Sequence, residues 1–189
     1  SGRRNAHLLA VAPNASSSII CGGTSPSIEP YRANVYTHKT LSGSFQVKNK
    51  YLEEVLQDKG LKKDELTALW KDIAGKEGSV QHLDILTDDE KEIFKTANEI
   101  DQIWIVEHAS KRQEFICQAQ SVNLFFTIPT ATEPQEVHDE YMQYVNDVHW
   151  YGMNKLKSLY YFRTNAARNA ENVNTKVQRI KLDDAECIA

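Results

Sequence analysis

Apolar positions recur with two different periods along this chain, and the changes between them mark its elements. His7 to Ala12 is a short, nearly continuous apolar run stopped by Pro13, the pattern of a buried strand. Asn14-Ala15-Ser16-Ser17-Ser18 is a polar turn that opens into Ile19-Ile20-Cys21 and closes at Gly22-Gly23. Pro26 to Tyr36 is predicted to be irregular, since Pro30 lacks the N–H that a helix would use. Leu41-Ser42-Gly43 then turns the chain ahead of Phe45 and Val47. Helical spacing takes over from Tyr51 to Leu56, with Gly60 as its stop, and again through Leu66, Leu69, Trp70 and Ile73 up to Gly75.

The second half is more strongly patterned. Thr87-Asp88-Asp89-Glu90 has the capping-box spacing and predicts the start of a long helix with a buried stripe of Ile93, Phe94, Ala97, Ile100 and Trp104. Ser121 to Ile128 reads as a strand. Gln135 to Tyr151 reads as a helix with Val137, Tyr141, Tyr144, Val145 and Val148 on one stripe, leading directly into an apolar strand that carries Tyr160 and Tyr161. Beyond Arg168 the sequence is polar and aperiodic, which predicts a folded part over 1–168 and a flexible tail over 169–189. Alternating strands and helices indicate an α/β class. Only about four strands are evident, too few for a complete sheet around such long helices, so the chain is predicted to be part of a larger sheet or barrel.

Composition narrows the classes. The chain has 189 residues, a net charge of −4 and scattered basic residues outnumbered by acidic ones, which argues against a nucleic-acid surface. No apolar run reaches the roughly 18–20 residues of a membrane helix. Ser1-Gly2-Arg3-Arg4 is followed by only six mostly apolar residues, which is not a signal-peptide pattern. The three cysteines, Cys21, Cys117 and Cys187, cannot all pair, so a reducing cytoplasmic compartment is expected.

Several positions have candidate chemistry. Asn14, Ala15, Ser16 and Ser17 lie in a turn between a strand and a helix start, where backbone N–H groups and hydroxyls can cradle an anion. The plain alternative is a serine-rich cap. No glycine-rich loop with its lysine is present, so an ordinary nucleotide triphosphatase is not supported. The six histidines show no metal-ligand spacing. Cys117 and Cys21 are expected to be buried thiols with packing roles. Cys187 sits in the polar tail, either by chance or as a redox thiol on a mobile arm, although that chemistry usually needs a second cysteine nearby. Tyr160 and Tyr161 are neighbours on a predicted strand, so one phenol is expected to face the core and the other the opposite side. Two β-favouring aromatics would satisfy that pattern by packing alone.

The segments together resemble the C-terminal part of the large (α) subunit of class I ribonucleotide reductase. The resemblance is carried in order by Arg4-Asn5, Pro13-Asn14-Ala15-Ser16-Ser17, Ile28-Glu29-Pro30-Tyr31, Asn34-Val35-Tyr36, Ser42-Gly43-Ser44-Phe45-Gln46-Val47, Phe115-Ile116-Cys117-Gln118-Ala119-Gln120-Ser121-Val122-Asn123 and Leu159-Tyr160-Tyr161. It implies the C-terminal portion of a ten-stranded α/β barrel, incomplete on its own, in an enzyme that reduces ribonucleoside diphosphates by radical chemistry. It implies that Asn14, Ala15, Ser16 and Ser17 hold the substrate diphosphate. Tyr160 would be the inner and Tyr161 the outer member of a radical relay, and Cys187 a tail thiol exchanging with thioredoxin or glutaredoxin.

The helix from about Val137 to Tyr151 would help form the groove for the small subunit's C-terminal peptide. The small subunit would carry the di-metal/tyrosyl radical site, with no cofactor bound by this segment. The reactive cysteine, its asparagine and glutamate partners, the reducing cysteines and the nucleotide-effector sites would all lie upstream, in a companion N-terminal part. The chain would then be one half of a split subunit or a truncated one. Three positions depart from the family pattern: Cys117 stands where aspartate is frequent, Lys155 where glycine is common, and Asn14-Ala15 replaces Thr-Ala or Ser-Glu. The other readings are a non-catalytic interaction module that keeps the fold, and an anaerobic relative. The tyrosine pair weighs against the latter.

Overall fold

Two apolar cores organise the chain in the computed structural model, which describes residues 5–40 and 43–164. Arg4, Leu41, Ser42, Cys187 and the whole stretch 169–189 lie outside the described residues. A short helix, α1 (Ala15–Ile20), opens the described fold, and an irregular stretch follows it. Strands β1 (Val35–Thr40) and β2 (Gly43–Lys48) then pair antiparallel, from Val35 opposite Lys48 to Thr40 opposite Gly43.

Helices α2 (Lys50–Asp58) and α3 (Lys63–Gly75) pack beside this hairpin, because Leu52 and Leu56 on one face of α2 and Trp70 and Ile73 on α3 meet Val35, Val80, Leu83 and Phe94. Full burial of Leu52, Leu56 and Ile73 contributes roughly 1.5–3 kcal/mol each. Asn49 caps α2 by accepting the Tyr51 N–H at 3.1 Å. The buried Asn34 amide ties the unit together: its Nδ2 donates to the carbonyls of Gly78 (3.0 Å) and Phe94 (2.8 Å), while its Oδ1 accepts from Asn49 Nδ2 at 2.9 Å.

The second core lies between α5 (Gln102–Gln113), β3 (Leu124–Phe126) and α6 (Gln135–Lys155). Strand β3 is buried along its whole length and pairs parallel with β4 (Phe162–Thr164), α6 forming the crossover between them. Phe126 stacks on Phe162 at 5.4 Å and meets Tyr144 and Tyr141 edge-on, which fixes α6 over the strands. Among the described residues the strands form two separate pairs, and no barrel closes.

Four expectations are corrected. His7 to Ala12 is not a buried strand: Leu8 and Leu9 are 74% and 57% exposed, and a single parallel bridge joins Val11 to Gln120. That run has strand composition, and among the described residues nothing covers Leu8 and Leu9. The long helix predicted from Thr87 ends early. Its capping box forms, but α4 (Asp88–Ile93) has only six residues and α5 is a separate helix. Between them Thr96 donates both N–H and Oγ1 to Glu99, Gln102 Nε2 donates to the carbonyls of Ala97 and Ile100, and Asp101 accepts the Ile103 N–H to begin α5. These local side-chain bonds replace the helical ladder. Phe94 and Ala97 from the predicted stripe are buried, but Ile93 and Trp104 are exposed. The strand predicted over Ser121 to Ile128 contracts to β3, and α6 extends past Tyr151 to Lys155.

Candidate functional site

The serine turn and the tyrosine pair lie at the edges of a small set of buried polar contacts that ties residues 27–29 to residues 121–123. Asn14 precedes α1 in the left-handed region (φ 48°, ψ 35°), and the Ser18 N–H returns to its carbonyl at 3.0 Å. This folds the turn back so that Asn14, Ser17, Ser18 and Cys21 face Thr24, Ser25 and Ser27 across a cavity of about 310 Å³. That lining offers hydroxyl, amide and thiol groups and no charged side chain. Of the predicted cradle, Asn14 and Ser17 line this cavity. Ala15 lines a neighbouring recess of about 290 Å³ beside Tyr31 and Tyr36, and Ser16 is exposed. The loop is braced by Tyr31, whose hydroxyl donates to the Gly23 carbonyl at 2.9 Å. Ser27 Oγ donates to the Ser121 carbonyl at 3.0 Å, which docks the cavity wall on the residues leading into β3.

Tyr160 and Tyr161 just precede β4, outside its regular pairing. The backbone is nevertheless held to the β3 segment: the Tyr160 N–H donates to Val122 O and the Leu124 N–H to Tyr161 O, both at 2.9 Å. The phenols do not point to opposite faces. Their ring centroids are 4.0 Å apart with planes tilted by 42°, and both rings are about half exposed. The strict alternation expected of a strand fails because the residues lie before the ladder settles at Phe162. A hydrogen bond to the Tyr161 phenol, and then its charge, pushes the Tyr160 phenol above the usual tyrosine range. Arg163 places its guanidinium 4.8 Å from the Tyr161 ring centroid, a cation–π contact.

Two polar residues behind the pair, Glu29 and Asn123, received no role from sequence. Buried Glu29 accepts the Asn123 backbone N–H at 2.7 Å and its Nδ2 at 3.0 Å, and Asn123 Oδ1 accepts the Tyr161 N–H at 3.2 Å. Burial pushes the Glu29 carboxyl up, opposed by the Asn123 bonds and the Arg163 charge. The available signal was a glutamate beside Pro30 and an asparagine ahead of an apolar strand, both inside segments that carry the family resemblance.

Both described cysteines are exposed, which corrects their assignment as buried packing thiols. Cys117 Sγ accepts the backbone N–H groups of Leu8 (2.9 Å) and Leu9 (3.1 Å), and those two bonds hold its thiol below the ordinary range. Lys157 Nζ donates to the Cys117 carbonyl. No cluster of potential metal ligands occurs among the described residues, and none of their helices is long and apolar enough to cross a membrane. On α6, Met142, Trp150 and Met153 stand exposed.

A family profile described as "Ribonucleotide reductase, barrel domain" matches residues 1–162. The chain is 42% identical over 176 residues to a ribonucleoside-diphosphate reductase large subunit of Invertebrate iridescent virus 6, covering 92% of this chain and 17% of that protein. It is 36% identical over 171 residues to the large subunit of Caenorhabditis elegans, covering 89% of this chain and 20% of that one. Among solved structures, the class Id ribonucleotide reductase alpha subunit of Actinobacillus ureae superposes with a TM-score of 0.63 at 40% identity, covering 86% of this chain and 27% of that chain. The matched region is therefore a minor fraction of each relative's length.

Proposed function

The chain belongs to the ribonucleotide reductase barrel-domain family, and from that premise we propose that it supplies the substrate-diphosphate turn and the tyrosine relay of a ribonucleoside-diphosphate reductase. The observation that carries the relay is the direct contact between the Tyr160 and Tyr161 rings, 4.0 Å between centroids. An oxidised Tyr161 would take one electron and one proton from Tyr160, restoring its own phenol. Tyr160 would then take one electron and one proton from a thiol on the remaining part of the large subunit, leaving that sulfur as the reactive radical. Each phenol returns to its starting state, so the pair transmits the oxidation without being consumed.

Asn14, Ala15, Ser16 and Ser17 are proposed to hold the diphosphate. Neutral donors on a turn suit a polyanion that must also be released, and Asn14 and Ser17 already line a polar cavity. The half-exposed phenols leave room for a small subunit carrying the di-metal/tyrosyl radical site, and Met142, Trp150 and Met153 on α6 give its C-terminal peptide an apolar surface. The exposed Leu8, Leu9 and Phe115 match a surface that the rest of the large subunit covers, where the nucleotide-effector sites would also lie. Cys187 is proposed to exchange with thioredoxin or glutaredoxin.

The relay is tested by Tyr160→Phe and Tyr161→Phe in the assembled reductase. Each variant keeps the ring and loses the transferable hydrogen. Turnover is expected to disappear while co-purification with both partners persists. Near-normal turnover in either variant would show that the pair does not carry the radical.

A further inference from the structure

The peptide that joins Tyr160 to Tyr161 donates its N–H to a side chain, Asn123 Oδ1 at 3.2 Å, instead of to a strand carbonyl. That side chain is itself constrained. Glu29 and Asn123 are 8% and 7% exposed, so their polar atoms depend on partners inside the protein. The Glu29 carboxylate meets two donors of Asn123, the backbone N–H at 2.7 Å and Nδ2 at 3.0 Å. A carboxylate only accepts, so it fixes which end of the Asn123 amide faces it. The nitrogen must point to Glu29, and the oxygen must point to Tyr161. An inverted amide would set acceptor against acceptor at Glu29 and donor against donor at the Tyr161 N–H.

We propose that Glu29 and Asn123 are positioning residues of the tyrosine pair. The carboxylate orients the amide, and the amide holds the peptide that sets both phenols on one side at their 4.0 Å ring separation. Arg163 works from the other end of the same segment. Its guanidinium lies against the Tyr161 ring and is attracted to Glu29, so the charge buried at Glu29 has a counterpart beside the relay. This inference rests on the relay reading above. It adds residues that touch neither substrate nor radical and act through the geometry of Tyr161.

The polarity of the contact gives a test by reciprocal exchange. In the assembled reductase, Glu29→Gln sets an amide nitrogen against one of the two Asn123 donors that Glu29 accepts, so at least one of the Asn123 backbone N–H, Asn123 Nδ2 and Tyr161 N–H bonds is lost. Turnover is expected to fall about tenfold or more with the dissociation constant for the diphosphate unchanged. The double variant Glu29→Gln/Asn123→Asp reverses donor and acceptor together. The introduced amide nitrogen then donates to the introduced carboxylate, which still accepts the Tyr161 N–H, and the number of carboxylates is preserved.

Turnover of the double variant is expected to return to within about threefold of the parent. A Glu29→Gln enzyme within about twofold of the parent, or a double variant no more active than the single one, would overturn the proposal. Tyr161→Phe measured in parallel separates the two levels. If it retains turnover, the relay reading itself has failed. If it abolishes turnover while Glu29→Gln does not lower it, only the positioning role has failed.

Discussion

Tyr160 and Tyr161 stand side by side at the surface, 45% and 50% exposed, with their ring centroids 4.0 Å apart. The neighbouring Tyr161 phenol, first through hydrogen bonding and then through its charge, pushes the Tyr160 phenol above the usual range. Tyr161→Phe removes both influences and is expected to let Tyr160 ionise at lower pH. A pH titration of ring-labelled tyrosine by NMR reads this directly. An unmoved Tyr160 titration would show that the two phenols are not coupled.

Cys117 gives a second titration, with the opposite sign. Backbone N–H groups of Leu9 and Leu8 stabilise its thiolate, so the thiol is held below the ordinary range. Its alkylation by iodoacetamide should therefore begin at lower pH than that of a model thiol, measured by mass spectrometry in a Cys187→Ser background. The same shift makes Cys117 favour the folded state above the unfolded thiol's range, a contribution lost as pH falls through the folded one. Alkylation that tracks a model thiol across the titration would contradict this.

Asn34 and Gly78 form a buried polar joint of the first core. Gly78 has φ +83°, and a Cβ there would lie 2.5 Å from Ala33 Cβ and 2.9 Å from the Asn34 nitrogen. Gly78→Ala is thus strained by both its backbone conformation and the clash, and should destabilise by at least about 1–3 kcal/mol. Asn34→Ala strands the Asn49 amide and leaves the Gly78 and Phe94 carbonyls short of a donor, for a loss of about 1–3 kcal/mol. Urea denaturation midpoints check both, and an unchanged midpoint in either variant would refute its assignment.

Tyr144 joins α6 to the start of α5. Its hydroxyl donates to Asp101 at 2.7 Å and accepts the Gln102 N–H at 2.8 Å. Burial, with Asp101 adding to it, pushes the phenol up to about 12 from its ordinary 10.0. A raised folded value means that Tyr144 contributes stability below the unfolded value and loses it as pH rises from about 10 to 12. Stability measured across that window should fall more steeply in the parent than in Tyr144→Phe. Equal slopes would contradict the assignment.

What the sequence revealed and what it hid follow a physical division. Features set by neighbours along the chain were legible: the α2 helix, the α3 stripe, the Thr87–Glu90 capping box and the α6 stripe from Tyr141 to Val148, although its predicted first member, Val137, is exposed. Features set by distant partners were not. Helix α4 stops because Glu99 and Gln102 satisfy carbonyls and N–H groups that periodicity assigns to a ladder. Leu8 and Leu9 have strand composition and remain exposed, because local pattern does not say what covers them. The serine turn and the tyrosine pair were visible as motifs. The Glu29–Asn123 support was hidden because its partners are 94 positions apart in the chain.

The most direct measurement of the proposed role is reconstitution. The chain is combined with the remaining part of a large subunit and with a small subunit, and deoxyribonucleoside diphosphate formation is followed with each component left out in turn. The expected result is turnover only when all three are present, with this chain required in stoichiometric amount. Turnover that persists at full rate without the chain, or failure of the chain to join any such complex, would contradict its role as the relay-bearing part of the enzyme.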